Sequence, residues 1–240
     1  RAGPARAAKE EEAKTAEERG EPGFYWDPAN SRWMRDDKRG LPMSEMDYKY
    51  QPKSGEAYTL WPVVHTALTA RGLASFSAEE ARALQQKGEA VIVDVRVPSA
   101  YEKEHIAGAV NVPLFRPVAG SSLFDTVKRL SMAALAMEAT ERNPEFAQMA
   151  SERLPKGKKL IVSCMVGGSL DTVITVKKRN GKTKSHPDKE RAFGRESRSL
   201  KACYELMEAG FDDVCHLKDG VAMWRHEGFP LEAGAGPGPS

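Results

Sequence analysis

The sequence lacks long hydrophobic runs and has few cysteines. No stretch of about 18 apolar residues, the length needed to cross a bilayer, occurs in the 240-residue chain. We therefore expect no transmembrane helix, although peripheral contact with a membrane remains open. The three cysteines, Cys164, Cys203 and Cys215, are odd in number and form no CxxC pair. This pattern argues against a disulfide framework or a zinc site and favours a reducing compartment, and we expect no metal and no cofactor.

The chain also lacks a strong excess of charge of either sign. Its 36 basic and 34 acidic residues leave a net charge of +2, and 40% of its residues are apolar. Such a composition is typical of a soluble globular chain with polar extensions. The length accommodates one domain of ordinary size plus those extensions, and we place that domain at residues 73–232.

The first 72 residues are predicted to be extended and largely non-globular. Residues 1–8 are rich in Arg and Ala; they are either the remnant of a cleaved organelle transit peptide or the edge of a cloned fragment. Residues 9–19 are highly charged with almost no apolar face, and at most form a fraying helix. The glycine- and proline-rich residues 233–240 are expected to be a flexible tail.

Residues 24–61 hold eight of the chain's aromatic residues, spaced without helical or strand period and interrupted by prolines. Such a segment cannot bury these rings against itself. Two interpretations remain open: the segment wraps around its own domain, or it lies across a protein partner, where Tyr and Trp make good anchors. The residues assigned to partner contact are Phe24, Tyr25, Trp26 and Trp33.

Between residues 76 and 231, strand and helix patterns alternate. Ser77 and Glu80 form a capping box that starts a short helix ending near Gly88. Near-continuous apolar runs at 90–95 and 160–163 predict strands buried on both faces, as in a parallel sheet covered by helices. Further strands are expected at 110–113 and 213–217, a helix at 200–209, and a terminal helix carrying Trp224. The pattern predicts an α/β three-layer sandwich with a mostly parallel central sheet.

Residues 114–154 are predicted to add helices to this core. Leu123, Val127, Leu130 and Ala134 recur at helical spacing, and we expect most of this face to point into the core. Asn143 and Pro144 form a cap and first-turn pair for a second helix that reaches about Leu154.

A cysteine stands at the end of the strand 160–163. The segment Cys164-Met165-Val166-Gly167-Gly168 follows that strand, and its two glycines allow the backbone to curl back. If a helix begins just after this loop, its unpaired N–H groups favour an anion there, including a thiolate or a persulfide. Cys164 is thus a candidate nucleophile.

These residues, in this order, resemble the rhodanese family over roughly residues 76–231. The resemblance is carried by three blocks: Asp94-Val95-Arg96 with Tyr101, residues 104–109 and residues 111–113; Cys164 to Gly168 with Arg198-Ser199; and Leu217-Lys218-Asp219-Gly220 with Trp224, Gly228 and Pro230. Asp219 stands where a second glycine is usual in the family. The resemblance is to plant and algal members, which implies a chloroplast location, in the stroma or at the thylakoid surface.

The resemblance implies roles for individual residues. Cys164 would attack a sulfane sulfur donor such as thiosulfate or mercaptopyruvate and carry the sulfur as a persulfide, held by backbone N–H groups from Met165, Val166, Gly167 and Gly168. Arg198 would help to orient the anionic donor. Cys203 and Cys215 are expected to be core thiols. Structural roles are expected for the signature residues Asp94, Arg96, His105, Gly108 and Trp224.

The sequence departs from the family at residues 169–197, which separate Gly168 from Arg198. They contain eight basic and four acidic residues, a net charge of +4. Residues 172–184 predict a β-hairpin with an Asn180-Gly181 turn. Its cations are assigned to contact with an acidic partner, an anionic membrane surface or RNA, although sequence-specific reading of nucleic acid is not expected without aromatic residues to stack on bases. These cations are Lys177, Lys178, Arg179, Lys182 and Lys184.

Two functions are compatible with this sequence. The favoured one is an accessory or assembly protein that docks on a larger, plastid complex through the aromatic segment and the basic insert. It is favoured because an insert in the middle of the loop is a poor way to place N–H groups within about half an ångström. The alternative is an active sulfurtransferase using a Cys164 persulfide, with the insert acting as a lid or docking arm.

Overall fold

The computed structural model describes residues 23–36, 38, 40–42, 49–177, 181–188 and 191–234. The strands are β1 (Gly23–Asp27), β2 (Arg32–Arg35), β3 (Leu41–Pro42), β4 (Lys49–Tyr50), β5 (Tyr58–Thr59), β6 (Ser75–Phe76), β7 (Ala90–Asp94), β8 (His105–Ile106), β9 (Val110–Asn111), β10 (Phe115–Pro117), β11 (Thr140–Arg142), β12 (Lys159–Ser163), β13 (Val173–Lys177), β14 (Thr183–Pro187), β15 (Val214–Leu217) and β16 (Leu231–Glu232). The helices are α1 (Trp61–Ala70), α2 (Ala78–Gln86), α3 (Pro98–Lys103), α4 (Leu123–Ala134), α5 (Phe146–Arg153), α6 (Arg198–Glu208) and α7 (Gly220–His226).

A five-stranded sheet forms the centre of the domain, with the strand order β6-β15-β12-β7-β9. Every neighbouring pair in it is parallel. Strand β12 occupies the middle position, so its residues Leu160, Ile161 and Val162 are buried on both faces. The predicted α/β fold with a parallel central sheet is therefore confirmed.

Helices cover both faces of this sheet. On one face, Leu160 and Val162 pack in a cluster with side chains of α1, α5 and α6, including Leu200. On the other, Ile161 packs with side chains of α2 and α7, including Trp224. Each fully buried aliphatic side chain of this kind contributes about 1.5–3 kcal/mol relative to exposure. Because successive side chains of β12 point to opposite faces of the sheet, this strand packs against both helical layers.

The predicted helix boundaries are largely observed. Ser77 Oγ accepts a hydrogen bond from Glu80 N–H at 3.2 Å, and Ser77 N–H donates to Glu80 Oε2 at 2.8 Å, which is the expected capping box. Helix α2 ends at the expected glycine, since Gly88 has a φ of 70°. Helix α5 begins at Phe146, later than the predicted first-turn residue Pro144, because the predicted cap Asn143 forms a turn in which its Oδ1 accepts from Glu145 N–H.

Helix α4 is where the burial prediction is wrong. The helix forms as expected, but three residues assigned to the core are exposed: Leu123 (83%), Val127 (55%) and Leu130 (67%). The polar side chains hold the helix to the body instead. Lys128 Nζ donates to Thr140 O at 2.7 Å, and the Arg129 guanidinium donates to Gly120 O at 2.6 Å. Helical spacing reveals an apolar face, but it does not reveal what that face meets.

The N-terminal segment is more ordered than predicted. Strand β1 pairs antiparallel with β2 and β3, and α1 lies against the core. Phe24, Trp61 and Leu68 are buried. The prediction of an extended, largely non-globular segment is therefore corrected for residues 23–36 and 58–72, because their apolar side chains find a surface on the domain. Residues 1–22 and Tyr48 lie outside the described residues.

The C-terminal segment is attached to the domain as far as it is described. Gly234 N–H donates to Glu102 O at 2.7 Å, and β16 pairs with β8. The rest of the predicted tail, residues 235–240, lies outside the described residues. None of the described helices is both long enough and apolar enough to cross a membrane.

Candidate active site around Cys164

Cys164 directly follows β12 at the carboxyl end of the central strand. The side chain is 4% exposed, with Sγ 3.2 Å from Ser199 Oγ. The first turn of α7 supports the loop from below: Val221 N–H donates to Cys164 O and Ala222 N–H donates to Met165 O, both at 2.9 Å. These two bonds fix the backbone of the loop at Cys164 and Met165.

The two glycines of the loop are required by its geometry. Gly167 and Gly168 have φ values of 72° and 84°, in the left-handed region that favours glycine. A Cβ atom on Gly167 would lie 2.5 Å from Asp219 N, and one on Gly168 would lie 2.6 Å from Arg195 O. The predicted curl of the backbone is thus observed, and it packs too closely for any other residue.

Three of the four backbone N–H groups predicted to form the cradle are available to an anion. The N–H groups of Met165, Val166 and Gly167 donate no hydrogen bond within the described part of the chain. Gly168 N–H differs from the prediction, because it donates to Val166 O at 2.8 Å. At the start of α6, Ser197 Oγ accepts from Leu200 N–H and Ser197 O accepts from Lys201 N–H, which leaves the earlier N–H groups of that helix without a bond in the described part of the chain.

Sequence analysis missed a polar group beside the thiol. Ser199 Oγ lies 3.2 Å from Cys164 Sγ, 3.0 Å from Gly167 O and 3.2 Å from His216 Nε2. His216 Nε2 lies 2.8 Å from Gly167 O. Since a carbonyl oxygen only accepts, His216 must carry its proton on Nε2 and donate it to Gly167 O. The Ser199 hydroxyl is then free to turn from this carbonyl to a thiolate.

The environment of His216 keeps its ring neutral. Burial lowers the pKa of His216 below its ordinary value, against the opposing effect of the bond to Gly167. Ser75 Oγ lies 3.3 Å from His216 Nδ1 and supplies the donor for that nitrogen. Strand register would have revealed this residue, because His216 pairs with Val162 near the carboxyl end of β12. The order of strands in the sheet is not readable from the sequence.

Arg198 is exposed at the first position of α6. Its guanidinium lies over the Phe115 ring, 4.9 Å from the ring centroid. Among the described residues, no hydrogen bond or ion pair joins this guanidinium to Cys164. That Arg198 orients an anionic donor stays a prediction.

The insert leaves the loop through a closed neck. Ser169 and Arg195 pair through two backbone hydrogen bonds, at 3.0 and 2.7 Å. Beyond them β13 and β14 pair antiparallel from Val173 with Pro187 to Lys177 with Thr183. The predicted hairpin is confirmed, and Lys182 and Lys184 are exposed on it. Its predicted turn residue Asn180 and the cations Lys178 and Arg179 lie outside the described residues.

The N-terminal segment clamps this neck. Trp61 Nε1 donates to Phe193 O at 2.8 Å, and His65 Nε2 donates to Leu170 O at 3.0 Å. Phe24 meets the Phe193 ring edge-on, with 5.4 Å between the centroids. The two regions outside the family resemblance therefore pack against each other. We call Phe24, Trp61 and His65, which all contact Phe193, the clamp.

The aromatic residues assigned to partner contact divide into two groups. Phe24 is a correction: it is 1% exposed, because its ring fills the space beside Phe193, and so it cannot reach a partner. Tyr25 and Trp26 are exposed, and Trp26 packs edge-on against Trp33 at 5.5 Å. Tyr25 and Trp26 remain exposed to a partner, whereas Trp33 is half-buried and packs against the core.

The signature residues make structural contacts. Arg96 and Asp94 form a buried ion pair at 2.6 Å that ties the end of β7 to the following loop. The His105 ring stacks on Tyr101 at 3.7 Å. Gly108 has a φ of 71°, and Trp224 is buried in the face covered by α2 and α7.

The other two cysteines are packed in the core, as predicted. Cys203 lies in the middle of α6, and burial raises the pKa of its thiol well above the ordinary value. Burial also raises the pKa of Cys215. Both are therefore poor nucleophiles at neutral pH. Among the described residues, no group of three or more His, Cys, Asp or Glu side chains is arranged to hold a metal ion.

Comparison with known proteins agrees with this architecture. The sequence profile described as "Rhodanese-like domain" matches residues 77–227. Rhodanese-like domain-containing protein 14, chloroplastic, from Arabidopsis thaliana is 32% identical over 183 residues, which cover 76% of this chain and 75% of that protein. Thiosulfate sulfurtransferase 16, chloroplastic, from the same plant is 25% identical over 142 residues, covering 59% of this chain and 78% of that protein.

A solved structure of a rhodanese-like domain from Anabaena is also similar. It shares 19% identity with a TM-score of 0.40, and the match covers 69% of this chain and 86% of that domain. Because the profile match spans more than half of the chain and a relative is 32% identical over about three quarters of both chains, the chain belongs to the rhodanese-like domain family.

Proposed function

We propose that this chain is a sulfurtransferase in which Cys164 carries sulfane sulfur as a persulfide. The observation that supports this most directly is the Ser169–Arg195 pairing, which closes the neck of the insert. An insert whose two ends lay apart would displace the N–H groups of the loop. With the neck closed and clamped, the N–H groups on both sides of the insert stay in place around the thiol.

The reaction follows from the groups at the site. The Cys164 thiolate attacks the outer sulfur of thiosulfate, the S–S bond of the donor breaks, and sulfite leaves with the electron pair. The outer sulfur is now bonded to Cys164 Sγ. Its negative charge is stabilised by the N–H groups of Met165 to Gly167, which donate to nothing else among the described residues. A thiol acceptor then removes the sulfur and restores the thiolate.

Mass spectrometry tests this proposal. Thiosulfate treatment of the full chain should add one sulfur to the peptide containing Cys164, and a Cys164→Ser variant should gain none. Cys203→Ser serves as the matched control and should be loaded like the unmodified chain. If neither thiosulfate nor mercaptopyruvate loads Cys164, the sulfurtransferase proposal is wrong.

A docking function is the second candidate, and the outward apolar face of α4 favours it. The residues Leu123, Val127, Leu130 and Ala134 recur at spacings of four and three, the pattern of a seam that packs against another helix. The proposed occupant is thus an apolar helix of a partner protein in a larger complex, with Tyr25 and Trp26 and the basic insert as further contacts.

Substitution on this face separates docking from folding. Val127→Ser with Leu130→Ser should change the free energy of unfolding by less than about 1 kcal/mol, because both side chains are already exposed. The same pair should abolish co-purification of a stoichiometric partner from the native source. Recovery of the same partner by the double variant would overturn the docking role of α4.

We also propose a plastid location. Both Arabidopsis relatives carry "chloroplastic" in their names. Fractionation of the source tissue should place the protein with plastid markers, and washing of thylakoids with high salt would distinguish a stromal from a peripheral membrane-bound pool.

A further inference from the structure

We call the hairpin at residues 173–187 the basic arm. Its sequence contains five Lys or Arg residues and no Asp or Glu. Strand β14 is exposed along its whole length, so Lys184 and its neighbours face solvent. The arm therefore carries a local positive potential on a chain whose net charge is only +2.

The acidic residues of the insert that the structure describes lie at its base. Asp188 pairs with Arg191 at 3.4 Å, and Glu196 pairs with Lys201 of α6. Asp171 accepts from Ser169 Oγ at 3.0 Å. Charge is therefore separated along the insert: the arm carries a net charge of +5, and the rest of the insert carries −1.

The arm is also mechanically tied to Cys164. Its base is closed by the bond from Asp188 N–H to Thr172 O and by the Ser169–Arg195 pairing, one residue from Gly168. Five residues of strand extend about 15 Å from that base. A partner bound to the arm is consequently held near the loop that contains Cys164.

We propose that the basic arm selects the sulfur acceptor: it binds an acidic protein surface next to the acceptor's thiol. This inference rests on the proposed persulfide chemistry. The acceptor thiolate attacks the outer sulfur of the Cys164 persulfide, the S–S bond breaks, and Cys164 leaves as the thiolate, so that the acceptor becomes the persulfide. An RNA ligand is disfavoured because the arm has no aromatic side chain to stack on bases. A membrane is disfavoured because, in the described part of the arm, the large apolar side chains that are exposed are valines.

Synthetic acceptors of opposite charge test the proposal. The chain is loaded with thiosulfate, and transfer is followed to two peptides of equal length whose single cysteine is flanked by Glu or by Lys. Lys182→Glu with Lys184→Glu should slow transfer to the Glu peptide about tenfold relative to the Lys peptide, and high salt should remove the difference. Comparing variants on one peptide cancels the different intrinsic reactivity of the two thiols.

A matched control places the same charge change elsewhere. Lys156→Glu with Lys158→Glu alters two exposed lysines before β12, at the opposite end of that strand from Cys164, and should leave both transfer rates unchanged. Loading of Cys164 by thiosulfate should be the same in all three proteins. Equal transfer rates in the arm variant and the unmodified chain would overturn the proposal.

The failure of persulfide chemistry is distinguishable from the failure of acceptor selection. If Cys164 is not loaded, anisotropy of the two fluorescent peptides measures binding by the arm directly. Loss of Glu-peptide binding in the arm variant would then support the arm as a docking surface. Binding only to polyuridylate or to phosphatidylglycerol vesicles would show that the arm's partner is not an acidic protein.

Discussion

Ser199 supplies the one side-chain hydroxyl that contacts Cys164 Sγ in the described part of the chain. Its proton has three acceptors within reach, the sulfur, Gly167 O and Ser197 Oγ, and His216 donates to that same carbonyl. A hydroxyl hydrogen bond is stronger to a charged acceptor than to a neutral one. Once Cys164 ionises, the hydroxyl is expected to turn towards the sulfur. Ser199 is therefore a positioning and stabilising group for the reactive anion.

Replacement of Ser199 tests this role. Ser199→Ala should lower the rate of Cys164 alkylation by iodoacetamide at fixed neutral pH about tenfold, the effect of one hydrogen bond to a charged group. Peptide mapping identifies the modified cysteine. Ser163→Ala is the matched control, since Ser163 is equally buried and next to Cys164 but bonds Val93 O instead. Equal rates for the two variants would contradict the assignment.

The buried histidines make stability depend on pH. Burial lowers the pKa of both His65 and His216 below their ordinary value of 6.5. The unfolded chain binds protons at these sites before the native chain does, so the free energy of unfolding falls as pH drops below 6.5 towards the folded pKa values. Asp219 faces His216 and opposes this shift without reversing it. Each ring contributes a slope of at most about 1.4 kcal/mol per pH unit.

Urea denaturation between about pH 7 and pH 5 measures this slope. His216→Gln should make it shallower, whereas the exposed His226→Gln should leave it unchanged. Glu205, whose pKa is raised by burial, titrates alike in all of these proteins and cancels in the comparison. An unchanged slope in His216→Gln would show that His216 is not a source of the pH dependence.

Helix α1 illustrates what an element outside the family pattern can do. Trp61 and His65 lie one turn apart on the same side of the helix, and both donate to backbone carbonyls of the insert. These two bonds hold both strands of the neck. The clamp thus makes the insertion after Gly168 a fixed part of the fold.

Removal of one hydrogen bond of the clamp should affect both stability and the loading of Cys164. Trp61→Phe leaves the buried Phe193 carbonyl without its donor, and should lower the free energy of unfolding by about 1–3 kcal/mol. Thiosulfate loading of Cys164 should slow in parallel. Trp26→Phe is the control, because Trp26 is 47% exposed and its change should lie within about 0.5 kcal/mol. If Trp61→Phe changes stability but not loading, the clamp is structural only.

At the scale of the whole molecule, the insert consists of two parts with different roles. Phe193 belongs to the core and Leu170 beside the neck packs against it, whereas strand β14 of the basic arm is exposed. Val173 and Pro187 face each other across the hairpin, so the arm can be cut there and closed with a two-residue turn. The two parts can therefore be separated by deletion.

Replacement of residues 174–186 by two glycines should leave thiosulfate loading within about twofold and stability within about 1 kcal/mol, because the removed strands are mostly exposed. Removal of all of residues 169–197 should instead lower the free energy of unfolding by about 3–5 kcal/mol, since Phe193 leaves a cavity in the clamp. Loss of loading in the shorter deletion would show that the arm takes part in the chemistry itself.

Local sequence patterns were sufficient to predict much of this fold. The buried apolar strand 160–163, the capping box at Ser77 and the alternation of strands and helices determined a parallel α/β domain with Cys164 at the end of a central strand. The hairpin was also predictable, because β-branched residues and an Asn-Gly turn act over a few residues.

The tertiary structure alone decided the remaining features. Trp61 and Phe193 are 132 residues apart in sequence, and Cys164 and Ser199 are 35 apart. The outward direction of the α4 apolar face depends on which side of the helix finds bonds on the body. Periodicity reports the chemistry of a face but not its neighbour, because that neighbour is set by how distant elements pack. For this protein, the sequence determined the fold and the position of Cys164 at a strand end, and tertiary packing decided that the two ends of the insert are held together beside it.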